Sequence, residues 1–214
     1  MAVDGALTCV LIAVMSTALV TEAPHEFLGL ALLALMVAHL VLNRRWFAAL
    51  GKGRWSAPRV LQTAAVAGVV LCALGQAVSA LILSEHALAF LPEIPGSWWA
   101  RKVHMLCSSW FFVLAFAHVG LQWRGMVARI RPLRQAKPAL LWVLRAIWAA
   151  VAIFGVVSFL QLGLGPYLLG QVEFAFADYD TPVVLIGLRY LCVGVLITGV
   201  GHYVGSVLRR RRQT

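Results

Sequence analysis

The chain has 214 residues, of which 62% are hydrophobic and 12% charged, and its formal net charge is +10. A mean hydropathy of +0.87 excludes an ordinary soluble domain and predicts an integral membrane protein in contact with lipid. The basic residues lie in short clusters between apolar runs, as in the loops of membrane proteins, so we do not expect nucleic acid as a partner.

Successive apolar segments predict an all-α fold, a polytopic bundle of six transmembrane helices. The first segment has no basic stretch before its apolar run, which favours a retained helix over a cleaved signal peptide. We predict the six helices over residues 6–20, 25–42, 60–83, 101–123, 139–162 and 182–208.

The distribution of charge predicts the orientation of this bundle. Residues 43–59, residues 124–138 and the tail together hold 14 of the 18 Lys and Arg, whereas seven of the eight acids fall on the opposite side. Because basic loops stay in the cytoplasm, we expect a multi-pass protein of the cell inner membrane with both termini cytoplasmic.

Two of the predicted helices carry the same pair of histidines. His25 and His39 lie fourteen residues apart on the second helix, and His104 and His118 repeat this spacing on the fourth. At about 100° and 1.5 Å per residue, fourteen residues return to nearly the same helix face after a rise of about 21 Å. A lone histidine near a helix end is usually interfacial, but ionisable groups within a span are rare and usually functional.

The topology pairs these four histidines. The second and fourth helices are two spans apart and run in the same direction, so His25 lies opposite His104 at the outer end and His39 opposite His118 towards the cytoplasm. We predict that each pair supplies the two axial metal ligands of one haem b. The two haems would be close enough for direct electron tunnelling. Covalent c-type attachment is excluded because the sequence contains no C-x-x-C-H motif.

Basic residues beside the histidines are candidates for binding the haem propionates. Arg101 and Lys102 would serve the outer haem, and Arg44 and Arg45 would serve the inner one. Anchoring at the membrane interface explains all four equally well.

Other polar residues near these positions have competing interpretations. A ligating imidazole should donate its second N–H to a partner, and Ser108 and Ser109, one turn beyond His104, are candidates. We interpret His86 as a loop residue. The alternatives are a substitute ligand for the outer haem and a proton acceptor at a quinol site. His202 is interpreted as a non-ligand, with a third metal ligand as the alternative.

Several stretches resemble a family of bacterial membrane cytochromes: HEFLG at 25–29, HLVLNRRWF at 39–47, and RKVH at 101–104 followed by His118. The chain is similar to the flavinylation-associated cytochromes b, formerly a domain of unknown function, in a six-helix form. The resemblance implies a four-helix di-haem core over residues 1–124 and two additional helices with a basic tail over 125–214. It also implies electron exchange with an extracytoplasmic partner that carries covalently attached flavin.

These observations favour transmembrane electron transfer between a quinol or cytoplasmic-side donor and an extracytoplasmic flavoprotein or other acceptor. A quinone is a candidate further ligand, and any reductase activity would depend on another subunit for a flavin or nicotinamide domain. The nearest alternative is a quinol-dehydrogenase or anchor subunit of a larger respiratory complex. A haem-free proton-coupled transporter is the alternative from another class, weakened because no clear span contains Asp or Glu.

Overall fold

A computed structural model describes residues 2–17, 22–128, 137–174 and 180–210. These residues form helices connected by turns and loops, and no β-strand occurs among them. The helices are α1 (Ala2–Thr17), α2 (Glu22–Leu42), α3 (Arg44–Ala48), α4 (Ala57–Leu83), α5 (Ser97–Val127), α6 (Pro138–Gln161), α7 (Leu164–Leu168) and α8 (Val183–Arg210).

The long helices confirm a multi-pass α-helical membrane bundle. The five helices α2, α4, α5, α6 and α8 are long and apolar enough to cross a bilayer. α1 is apolar but has 16 residues, which gives about 24 Å of helix and falls short of the roughly 20 residues of a usual span. The predicted extension of the first helix to residue 20 lies outside the described residues.

The helix boundaries differ in detail from those predicted. The sequence predicted that this helix begins at residue 101. α5 begins at Ser97 instead, so Trp98 and Trp99 lie in its first turn and not in the preceding loop. The short helices α3 and α7 were not predicted, because five-residue helices leave no periodic pattern. The boundary predicted after residue 124 falls within the last turn of α5.

Helices α4, α5, α8 and α6 pack side by side in that order. The crossing of α5 and α8 is close because glycines face each other: a Cβ on Gly201 would lie 2.7 Å from the carbonyl oxygen of Ala117 and 3.3 Å from the Cα of Gly120. Phe112 and Val193 are fully buried nearby. The structure shows neighbouring helices against Gly68, Gly75, Gly120, Gly194, Gly199 and Gly201.

The helices α1 and α2 share the apolar core of this row, in which Leu11 and Met36 cluster with Phe111 of α5 and Val193 of α8. α1 packs against α2 and α8, whereas α2 makes few close backbone contacts with α4 and fewer with α5. Closely packed helices have axes 8–10 Å apart. A space therefore separates α2 from α5, wider than ordinary helix packing produces. Below, the end of the bundle that carries His25 and His104 is called the His25 end, and the opposite end the His39 end.

A carboxylate holds the His25 end of α2 to the loop that follows α4. Glu26 accepts hydrogen bonds from the Ser84 hydroxyl at 2.6 Å and from the backbone N–H groups of residues 85, 86 and 87 at 2.9, 3.0 and 2.7 Å. One carboxylate thus satisfies donors that would otherwise lack partners near the membrane. It fixes the distance between α2 and α4 at this end.

Replacing Glu26 with glutamine is expected to lower the apparent melting temperature of the protein in detergent by about 5–10 °C, because charge-assisted hydrogen bonds are lost and an amide N–H₂ faces backbone donors. The measurement is thermal unfolding followed by circular dichroism. Glu85→Gln, a change at an exposed neighbour, is the matched control and should shift the melting temperature little. Equal shifts in the two variants would contradict the role given to Glu26.

Candidate functional site

The four histidines singled out by spacing lie on α2 and α5, which run in the same direction. At the His25 end the rings of His25 and His104 have centroids 6.0 Å apart and planes inclined at 62°. At the His39 end, His118 lies within electrostatic range of His39 and of Asp4 on α1. The structure therefore brings His25 together with His104, and His39 together with His118.

The distance between the His25 and His104 rings fits two axial ligands of one metal. A metal–imidazole bond of about 2.0 Å, added to about 1.2 Å from the nitrogen to the ring centroid, places two opposed rings about 6.4 Å apart. The observed 6.0 Å is close to this value. It also lies within the 4.5–7 Å range of rings that pack edge to face, so the distance is compatible with a shared metal and with direct ring contact.

A buried hydroxyl determines which nitrogen of His104 is free. Ser79 on α4 is fully buried, and its Oγ lies 3.0 Å from the carbonyl oxygen of Gln76 and 3.1 Å from Nδ1 of His104. Since the hydroxyl donates its single proton to the carbonyl, it accepts from His104, which must carry its proton on Nδ1. The lone pair then resides on Nε2, where it is available to bind a metal.

This arrangement corrects the prediction that Ser108 or Ser109 orients His104. Both hydroxyls donate to the carbonyl oxygen of Met105 at 3.0 Å, within their own helix. Hydroxyls inside a helix commonly bond to a carbonyl one turn earlier, and Nδ1 of His104 is bonded to Ser79 and to neither of these two serines. The partner comes instead from the adjacent helix α4.

A carboxylate, which the sequence analysis did not identify, plays the equivalent role at the His39 end. Oδ1 of Asp4 lies 2.8 Å from Nδ1 of His39. The imidazole donates to the carboxylate, which leaves Nε2 of His39 as the free nitrogen. Histidine ligands of metals commonly donate their other N–H to a carboxylate in this way, which makes the ring a stronger donor to the metal.

The remaining two histidines have one feature in common. Nδ1 of His25 and Nδ1 of His118 are both buried and have no hydrogen-bond partner among the described residues. Buried polar atoms without partners are uncommon and call for a physical explanation, for which a bound group is one candidate. His25 lies beside the backbone of Val14 in the last turn of α1. α1 therefore passes both histidines of α2, with Asp4 at one end and Val14 at the other.

The space between α2 and α5 suits a flat ligand. Gly29 lies one turn after His25, and a Cβ placed there would meet no atom within 4 Å. A macrocycle between the two imidazoles would run past this position without a steric clash. The described residues contain no group of three or more His, Cys, Asp and Glu side chains able to hold a bare metal ion. Two imidazoles can also hold a haem, because the porphyrin supplies the other metal ligands.

The four basic residues proposed for the propionates lie near the expected ends, in varied surroundings. Nζ of Lys102 lies 3.3 Å from Oε1 of Glu173, and the guanidinium of Arg101 lies 5.2 Å from the ring centroid of Phe174. Both are therefore engaged by the segment after α7. Arg44 and Arg45 begin α3 and are exposed. Propionate binding by these four residues stays a prediction.

The two other histidines occupy different places. His86 is an exposed residue of the loop after α4. Its Nδ1 lies 3.3 Å from Oε1 of Glu26. His202 on α8 lines a polar cavity at the His39 end. In the structure neither takes part in the two pairs that α2 and α5 form.

Comparison of the chain with family models, curated proteins and solved structures found no match.

Proposed function

We propose that this protein transfers electrons across a membrane through two haems b, one held by His25 and His104 and the other by His39 and His118. The observation that carries the proposal is the contact between the rings of His25 and His104, whose centroids lie 6.0 Å apart. His118 lies near His39, fourteen residues further along the same two helices. When bound, haem iron supplies reversible one-electron chemistry. Each haem would be held by the two imidazoles of one pair, and such ligation favours electron exchange over oxygen binding.

The chain's own residues have distinct roles in this proposal. Ser79 and Asp4 hold the protons of His104 and His39 on Nδ1 and direct Nε2 towards the space between the helices. Glu26 sets the spacing at the His25 end. At the His25 end Ser79 is fully buried, so water is excluded from its contact with His104, whereas at the His39 end the side chains of His39 and Asp4 are 31% and 45% exposed.

We also propose six spans, with α1 as the sixth. α1 runs antiparallel to α2 from Asp4 beside His39 to Val14 beside His25, and it therefore covers the distance between the two sites. The clusters of Lys and Arg at the His39 end favour a cytoplasmic location for this end and for both termini, in the cell inner membrane.

The redox partners are proposed from the sequence resemblance. Electrons would pass between a quinol or cytoplasmic-side donor at the His39 end and an extracytoplasmic flavoprotein or other acceptor at the His25 end. A quinol-dehydrogenase or anchor subunit of a respiratory complex would use the same two sites. These forms differ in their partners, and pull-down of a flavin-bearing protein from the native membrane separates them.

A difference spectrum, dithionite-reduced minus oxidised, with haem quantified per polypeptide, tests the proposal. We expect two low-spin b-type haems per chain when the protein is expressed with an adequate haem supply. A colourless protein under those conditions would overturn the proposal.

A haem-free proton-coupled transporter is the second candidate, and the contact between Asp4 and His39 at 2.8 Å favours it. Carboxylate and imidazole groups side by side near a membrane are the groups used in proton relays. The transporter predicts a protein without haem and proton flux in liposomes that Asp4→Asn abolishes. The same spectrum therefore decides between the two functions.

A further inference from the structure

A polar cavity of about 930 Å³ opens at the His39 end, where α4 begins and α5 and α8 end. Its walls contain the guanidinium groups of Arg59, Arg124, Arg209 and Arg210. No acidic side chain is among its lining residues. The residues of α1 and α2 that form the inner histidine site take no part in it, so the cavity is a separate site.

The arginines of this cavity differ in how many hydrogen-bond partners their guanidinium groups already have. Arg59 donates to the carbonyl oxygens of Lys52 at 2.6 Å and of Ala49 and Leu50 at 2.8 Å. It is therefore a fixed charge that closes the loop before α4. Arg209 makes one long contact, 3.4 Å from Nη1 to the carbonyl oxygen of Leu121, and its Nε and Nη2 are buried without partners among the described residues.

The close crossing of α5 and α8 at Gly120 and Gly201 brings the basic residues at the ends of these two helices together. It places His202, one residue beyond Gly201, beside the end of α5 that carries Arg124. Nδ1 of His202 is also buried without a partner in the described part of the chain. Buried donors without acceptors destabilise the fold, and several cations facing one space repel one another. An anion with several oxygens would relieve both costs.

An apolar groove adjoins the cavity and indicates what the anion is attached to. The groove has a volume of about 330 Å³ and is lined by apolar side chains except for Thr63. Trp46 lines both spaces. Along α4, the lining residues Arg59, Gln62, Val66 and Val70 recur every three or four positions. They therefore share one helix face, which is polar at the His39 end and apolar towards the middle of the bundle.

We propose that this face binds an anionic phospholipid, with its phosphate among Arg124, Arg209 and His202 and an acyl chain in the groove beside Trp46. Guanidinium groups pair well with phosphate oxygens, and basic pockets between transmembrane helices bind lipid headgroups. A free phosphate would satisfy the arginines but not the groove. The inference does not rest on haem binding, and a haem-free protein is expected to bind the lipid as well.

Native mass spectrometry of the full chain released from detergent tests this site. The protein is titrated separately with phosphatidylglycerol, with phosphatidylcholine of the same acyl chains, and with inorganic phosphate. We expect phosphatidylglycerol to bind at least tenfold more tightly than phosphatidylcholine. Arg124→Gln and Arg209→Gln should each weaken it about tenfold, the usual loss when a charged hydrogen bond is removed.

Two further variants locate the headgroup and the acyl chain. Arg145→Gln is the matched control, because Arg145 stacks on Trp142 of α6 at 5.0 Å and does not line the cavity. It should leave the affinity unchanged. Ala67→Phe, at an exposed position in the groove, should weaken both lipids several-fold by filling the space of the acyl chain.

Several results would overturn the proposal. These are equal affinities for the two lipids, unchanged binding in both arginine variants, or binding of inorganic phosphate without binding of phosphatidylglycerol. Size-exclusion chromatography checks that each variant is folded. Should Arg209→Gln fail to fold, the exposed Arg124 decides the result through its own variant.

Discussion

Replacement of His104 by alanine is expected to remove one of two b-type haems and leave the other with its spectrum unchanged. His104 and His25 face each other at 6.0 Å, and a single imidazole at the His25 end cannot fill both axial positions of an iron. The other pair lies about 21 Å away along the helices, fourteen residues at about 1.5 Å each. The measurement is haem content per chain together with the reduced-minus-oxidised spectrum.

Variants at the other histidines give this prediction its controls. His118→Ala should remove the second haem and spare the first, and the double variant His104→Ala and His118→Ala should be colourless. His86→Ala, which changes an exposed loop histidine paired with Glu26, should retain both haems. Loss of both haems from either single variant of α5, in a protein that still elutes as a folded species, would contradict independent sites.

Replacement of Asp4 by asparagine is expected to raise the midpoint potential of the haem at the His39 end by about 30–60 mV. A carboxylate that accepts from the ligand's N–H stabilises the more positive, oxidised iron, and its removal favours the reduced form. One-electron potentials change by about 59 mV per tenfold change in equilibrium constant. Because the Asp4 side chain is 45% exposed, water screens part of its charge and the expected shift is small.

Potentiometric titration of both haems measures this effect. The haem at the His25 end should keep its potential in Asp4→Asn, since Ser79 and not a carboxylate accepts from His104. Thr8→Ala is the matched control on α1, because the Thr8 hydroxyl bonds to the backbone oxygen of Asp4 and not to its carboxylate. A downward shift, or equal shifts of both haems, would contradict the assignment of Asp4.

The helices and the pairs of histidines could be predicted because both depend on short-range periodicity. Fourteen residues on one helix define a face, and the number of spans between helices defines their direction. The residues that orient the imidazole rings could not be predicted from this periodicity. Asp4 looks like an acid in a helix first turn, where the helix dipole favours it, and Ser79 looks like any small residue at a helix interface.

One signal in the sequence could have identified both partners. Residues 4 and 39 lie nearly symmetrically in sequence about the segment that joins α1 to α2, and residues 79 and 104 lie similarly about the loop between α4 and α5. In an antiparallel hairpin such positions face each other at the same depth. The exact rotation of each helix, which decides whether the side chains meet, is set by packing contacts such as Gly75 against Cys107. Those contacts depend on the three-dimensional fit of α4 and α5.

The sparse backbone contact between α2 and α5 has a consequence for how the protein is assembled. Each histidine pair joins residues 79 positions apart, 25 with 104 and 39 with 118, and links α2 to α5 where their direct contacts are few. Two cofactors bound between α2 and α5 would hold these helices together, since a ligand that binds only the folded form stabilises that form. In newly made chains without cofactor, α2 would separate from α5 before the other helices separate. Membrane proteases would then recognise the separated helices α1 and α2.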